Sequence, residues 1–139
     1  MKVLVDTSVW SLALRRKSEV LNAEEKRIVG ELTELIREGR TAIIGLIRQE
    51  LLSGVKAIEQ YEKLRLHLRS FPDELIGTPD HEEAARFSNQ CRAKGIAVFV
   101  VDMLICAVAL SRSWMIFTTD PDFAMYRKAL PVQLHRPRK

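Results

Sequence analysis

The sequence predicts an α/β protein in which helices cover a short, mainly parallel sheet. Three observations carry this reading. Brief apolar or β-branched runs (residues 3–5, 41–44 and 114–118) alternate with longer stretches of helical period. The first two of these runs pass directly into a helical stretch, the arrangement of a parallel crossover. Acidic residues recur where these elements end, and the C-terminal rim of an open parallel sheet is where such folds collect ligands.

Composition narrows the classes. The 139 residues, 47% hydrophobic and 29% charged, fit one globular domain spanning 1–139 rather than a disordered chain. No apolar run approaches the roughly 18 residues of a membrane span. Asp6 interrupts the basic-then-apolar pattern of a signal peptide, so a cytoplasmic location is expected. Cys91 and Cys106 lack metal-ligand spacing and sit in helical patterns, where they read as small buried hydrophobes. His67, His81 and His135 are equally scattered, which argues against a zinc site. The net charge of +4 suits a polyanion such as RNA or DNA, and equally an ordinary surface.

Each element has a local reason. Residues 3–5 form a buried strand ending at Asp6, and residues 8–15 a short helix with Trp10, Leu12 and Leu14 as its apolar residues. Residues 16–19 are a charged loop. Asn22 with Glu25 three residues later approximates a capping box, and Gly39 is a natural stop for the helix that follows. Residues 41–44 are a second strand and 46–52 a helix carrying Glu50. Gly54 interrupts it, and residues 55–68 continue helically until Phe71-Pro72. Residues 74–76 read as an edge strand. Asp80 with Glu83 suggests the next helix start, Gly95 its stop, and residues 96–101 an apolar linker. Residues 102–111 are a very apolar, buried helix opened by Asp102. Residues 114–118 form a strand, 121–128 a short helix and 132–134 a last strand, before a basic, mobile tail at 135–139.

The chemistry lies in the acids. Asp6, Glu50, Asp102, Asp120 and Asp122 all fall near element ends, so a parallel sheet brings them to one rim. Each also has a plain structural reading: Asp6 and Asp102 as helix caps, Glu50 as an exposed helix residue, Asp120 and Asp122 as turn formers. Together they form a repulsive cluster that a cation would relieve. Carboxylates without His or Cys favour Mg²⁺ or Mn²⁺, and such an ion suits phosphodiester hydrolysis.

The segments VLVDTSVW, IGLIRQELLSG, VVDMLICAVAL and IFTTDPDF occur in an order and spacing that resembles the PIN domain family. The likeness extends over essentially the whole chain and is to the ribonuclease toxins of VapBC-type toxin–antitoxin pairs. It implies a three-layer α/β/α sandwich, Mg²⁺- or Mn²⁺-dependent endonucleolytic cleavage of RNA, a homodimer, and neutralisation by a small antitoxin. By position, Asp6, Glu50, Asp102 and Asp120 would be the acidic site, with Asp122 an additional or alternative fourth acid. A first metal ion would lie between Asp6 and Asp102, with Glu50 and Asp120 holding its waters or a second ion, and would activate the attacking water. Ser8 and Thr118 would orient carboxylates or water. The antitoxin would cover Trp10, Leu12, Leu14 and the helix from Asn22. Arg48, Arg112 and the tail residues Arg136, Arg138 and Lys139 are candidates for phosphate contacts. Val100-Val101 departs from the family's polar or small residue before the third acid.

Two other phosphate chemistries fit less well. A haloacid-dehalogenase-like phosphatase needs an acid where this chain has Ser8, and a Toprim-type nuclease needs an early Glu where it has Asp6. A flap-type DNA nuclease would need more chain. A degenerate, non-catalytic PIN-like scaffold for RNA or protein should lack an acid, and none is missing.

Overall fold

A computed structural model describes residues 1–138. Its centre is a three-stranded parallel sheet in the order β2-β1-β3, with β1 at Val3–Val5, β2 at Thr41–Ala42 and β3 at Met115–Phe117. Every residue of β1 is buried, as expected of a strand covered on both faces. The helices are α1 (Thr7–Leu14), α2 (Ala23–Arg37), α3 (Gly45–Leu52), α4 (Ile58–Leu68), α5 (Thr78–Ala93), α6 (Val100–Arg112) and α7 (Asp122–Tyr126). They complete the three-layer α/β/α sandwich: α6 packs on β1 and β3 with α5 against it, while α1 packs against α2 and α3. Seven consecutive residues of α6, Met103 to Ala109, are buried, which explains why its sequence is apolar all round. No described helix is long and apolar enough to cross a membrane.

Local chemistry sets the element ends. Asn22 and Glu25 form a complete capping box, the Asn22 side chain accepting from the Glu25 amide at 2.8 Å and the Glu25 carboxylate from the Asn22 amide at 3.0 Å. Gly39 and Gly95 end α2 and α5 with φ of 68° and 73°, the left-handed conformation that a side chain disfavours. Ser113 takes the same role after α6 at φ 60°, without glycine's freedom.

Several boundaries differ from those read in the sequence. Residues 74–76 are not a strand: Ile43 makes one bridge to Asp73, and the exposed Leu75 packs on nothing that would extend it. Residues 132–134 are likewise reduced to one bridge, Leu134 to Ile116. Helix α5 starts at Thr78 rather than Asp80, because Pro79 suits a first turn and the Asp80 carboxylate reaches back to the Gly77 amide at 3.0 Å. Glu83 pairs with Arg86 instead. Helix α6 begins at Val100, which makes Asp102 its third residue and shortens the linker.

The tail is anchored where mobility was expected. His135 Nε2 lies 2.6 Å from Glu31, and Arg138 bonds Glu31 at 3.0 Å and Glu38 at 2.7 Å. Glu31 is a buried carboxylate on α2, and buried charges need such partners. Lys139 lies outside the described residues.

Candidate metal centre

The sheet delivers the acids to one place. The Asp6 amide donates to the Phe117 carbonyl at 2.9 Å, so the ends of β1 and β3 are in register. Asp6 precedes α1 but its side chain does not cap it. Instead its Oδ2 accepts from Ser8 Oγ and from Thr118 Oγ1, each at 2.8 Å. Each hydroxyl has one proton, and both protons point to Asp6. Their oxygens in turn accept the amides of Thr119 and Asp120, both at 3.0 Å. Ser8 and Thr118 thus lock the Asp6 carboxylate to the turn that carries Asp120. Asp120 Oδ1 accepts the Asp122 amide at 2.9 Å, a side-chain turn that opens α7.

Asp102 faces this turn from α6. Carboxylate oxygens of Asp102, Asp120 and Asp122 all lie within 4.8 Å of one another. Burial pushes the Asp102 carboxyl up to about 6, with Asp6, Asp120 and Asp122 adding to the rise and a hydrogen bond from Tyr126 opposing it. That bond, Tyr126 Oη to Asp102 Oδ2, is 2.6 Å long. Burial and the same Asp102 bond push the Tyr126 hydroxyl upward, which keeps it a donor. Sequence reasoning missed Tyr126; its one signal was a tyrosine in an apolar stretch, whose hydroxyl needs a partner once buried.

The remaining expected residues fall into three groups. Glu50, exposed on α3, accepts from Thr7 Oγ1 at 2.7 Å, which places it beside the first turn of α1 and outside the three-acid cluster. Thr7, also unanticipated, is the residue that ties it there. Arg48 and Arg112 do not face the acids. Arg48 binds Asp73 at 3.0 Å, the Leu68 carbonyl at 2.9 Å and the Phe71 carbonyl. Arg112 binds Glu74 at 2.9 Å, the Leu75 carbonyl at 2.8 Å and Asp80. It also closes the C-terminal end of α6, about 15 Å along the helix from Asp102. Both arginines are structural staples. Trp10 and Leu12 are corrected as well: both are buried, Trp10 completely, with its Nε1 donating to the Val5 carbonyl at 3.1 Å. Leu14 alone of the three retains partial exposure.

The donor set fits a hard divalent cation. Two full charges at 4.8 Å repel by about 3 kcal/mol at an effective dielectric of 20. Among the described residues, no Lys, Arg or His forms an ion pair with Asp6, Asp102, Asp120 or Asp122. Oxygen-only ligands match Mg²⁺ or Mn²⁺ rather than zinc.

A parallel sheet with carboxylates converging at its C-terminal rim defines an α/β protein whose candidate ligand site is wholly acidic. The model of the PIN domain matches residues 3–129, and the chain belongs to that family. Its fold is shared with FitAcB from Neisseria gonorrhoeae, at 22% identity over 97% of both chains and a TM-score of 0.76. VapBC2 from Rickettsia felis, bound to a DNA fragment from their promoter, gives 16% identity over 97% of this chain and 98% of that one, with a TM-score of 0.75. VapBC-5 from Mycobacterium tuberculosis, a member of the VapBC family of toxin–antitoxin systems, gives 21% over 97% and 98%, at 0.67. No curated protein sequence matches the chain.

Proposed function

We propose that this protein is a Mg²⁺- or Mn²⁺-dependent endoribonuclease, the toxin of a type II toxin–antitoxin pair. The observation that carries the reading is the cluster of Asp102, Asp120 and Asp122, with Asp6 tied to its turn through Ser8 and Thr118 and no ion-paired cation among the described residues, on a PIN scaffold. Asp102, Asp120 and Asp122 would hold the ion, with Asp6 alongside. When bound, such an ion supplies positive charge against the phosphoryl oxygens and lowers the pKa of a water nucleophile. The chain's own residues do the rest. Ser8 and Thr118 fix the Asp6 carboxylate, Tyr126 fixes that of Asp102, and Thr7 holds Glu50 at the rim. Preset carboxylates need no rearrangement as the reaction proceeds.

RNA is the polyanion this reading selects. With Asp6, Asp102, Asp120 and Asp122 drawn into one site, the rest of a chain of net charge +4 is more basic than the total implies. The similarity to VapBC assemblies supports an antitoxin partner, and dimerisation and a cytoplasmic setting belong to the same reading. The partner's surface shifts from Trp10 to a groove of about 810 Å³ between α1 and α4. Leu14, Val55 and Leu64 give it an apolar floor, and Arg15, Lys56 and Lys63 a basic rim, which suits an acidic amphipathic segment.

The test is cleavage of cellular RNA by purified protein with Mg²⁺, Mn²⁺ or EDTA, beside Asp102→Asn. Discrete metal-dependent fragments, absent with the variant, are expected. Intact RNA in every lane, with metal binding shown separately, would favour the non-catalytic scaffold.

A further inference from the structure

Phe99 stands at the N-cap of α6 with 61% of its surface exposed, and Val100 beside it is 81% exposed. This placement runs against stability twice. N-caps favour Ser, Thr, Asp or Asn, whose oxygen accepts a first-turn amide; a phenyl ring accepts none, and α6 has no side-chain cap. Phenylalanine is also among the residues most often buried. Its location gives the exposure a use. Phe99 and Asp102 are related as N-cap to third helical residue, the spacing at which first-turn side chains meet. Met125, 43% exposed on α7, stands three residues from Asp122, and the Tyr126 bond to Asp102 joins the two helices. The acids are therefore bordered, one helical turn away, by exposed apolar side chains.

They are not bordered by paired cations, and Arg48 and Arg112 are committed elsewhere. An ion held by these carboxylates would grip the phosphate whatever base it carries, so a contact to the base itself needs an uncharged surface. An aromatic ring on which the base stacks supplies one.

We infer that Phe99 is a substrate-positioning residue whose ring stacks on a base of single-stranded RNA, next to the phosphodiester that an ion at Asp102, Asp120 and Asp122 would engage. The inference rests on the nuclease reading above and adds to it a residue that grips the base, which requires an unpaired base because one in a duplex has no free face to offer.

The test uses a single-stranded oligoribonucleotide carrying a cleavage position mapped in cellular RNA. It is compared with versions abasic at the flanking nucleotides or annealed to a complement. Phe99→Ala should lower kcat/KM on the intact strand by about 5- to 150-fold, mainly through KM. Phe99→Trp should restore it. Phe99→Ser should show the same loss while its Tm rises by a few degrees, because serine caps α6. On the abasic strand the variants and the wild type should cleave alike, and the duplex should be spared. Unchanged kinetics for Phe99→Ala, an equal loss on the abasic strand, or a change in its mass in solution (the ring then covering a second copy of the chain) would overturn the inference. Should the wild type cleave no RNA, the nuclease reading fails by itself. Fluorescence of Phe99→Trp, measured against the wild type, then decides for stacking if oligo(A) quenches it and an abasic strand does not, and against it otherwise.

Discussion

At Asp102 the protein holds a carboxyl in a setting that resists its charge, which is the mark of a group kept for use rather than for stability. Replacing it with asparagine keeps an acceptor for the Tyr126 hydroxyl and removes the charge. Asp102→Asn should therefore melt at or above the wild-type temperature without metal, lose the Tm increase given by Mg²⁺, and cleave RNA at least about a hundredfold more slowly. A variant that melts lower and cleaves normally would assign Asp102 to the core. Tyr126→Phe leaves the Asp102 carboxylate without its fixed donor, and the Mg²⁺ concentration for half-maximal activity should rise about 10-fold or more. An unchanged metal dependence would make Tyr126 mere packing. The acids were legible in the sequence only jointly: each alone reads as a cap or a turn former, and their recurrence at element ends is what points to one rim. Tyr126 was not, since an aromatic in an apolar stretch is core until its hydroxyl is seen to bond. Trp10 misled for a related reason: an apolar helix face near the chain start reads alike whether it meets a partner or its own sheet.

Among the secondary-structure elements, the helices that announce themselves by capping chemistry were readable, and the segments that depend on distant partners were not. The Asn22–Glu25 pair needs only three residues of context, and both bonds form. Asn22→Ala should cost about 1 kcal/mol, measured by urea unfolding. Helix α6 hid its start because Phe99 offers no capping oxygen, which drew attention to Asp102 two residues too late. The strands expected at 74–76 and 132–134 shrink to single bridges because their places are set by side chains remote in sequence, Arg112 for the first and the tail contacts to α2 for the second. Ser113 pays a conformational penalty after α6 that its neighbours do not need. Ser113→Gly should raise stability by up to about 1 kcal/mol in the same assay, and a loss would mean that the serine hydroxyl holds the turn.

For the molecule as a whole, the tail closes the fold onto α2. Burial raises the Glu31 carboxyl, but hydrogen bonds from His135 and Arg138 outweigh it and hold the group below its ordinary value. Glu38, bonded chiefly by Arg138, is held down to about 2. Both folded values lie below the unfolded one of 4.5, so their stabilisation is present above that pH and is lost as the pH falls toward 2. Between these limits the Tm of the wild type should drop more steeply with acid than that of Arg138→Gln. Parallel curves would show an unclasped tail in solution. The alternation of short strands and helices made the sandwich legible over the whole chain, whereas this clasp was not, because a basic terminus has the composition of a solvated one.

The order of the sheet has a consequence for biosynthesis. Strand β1, made first, lies between β2 and β3, so its second edge stays unpaired until residues 115–117 have been added. Asp6 waits equally long for Thr118, and Asp102 for Tyr126. A growing chain on the ribosome therefore carries scattered carboxylates and no assembled centre until residues 118–126 have emerged. On the nuclease reading, topology alone withholds the cutting chemistry from the machinery that is still making the chain.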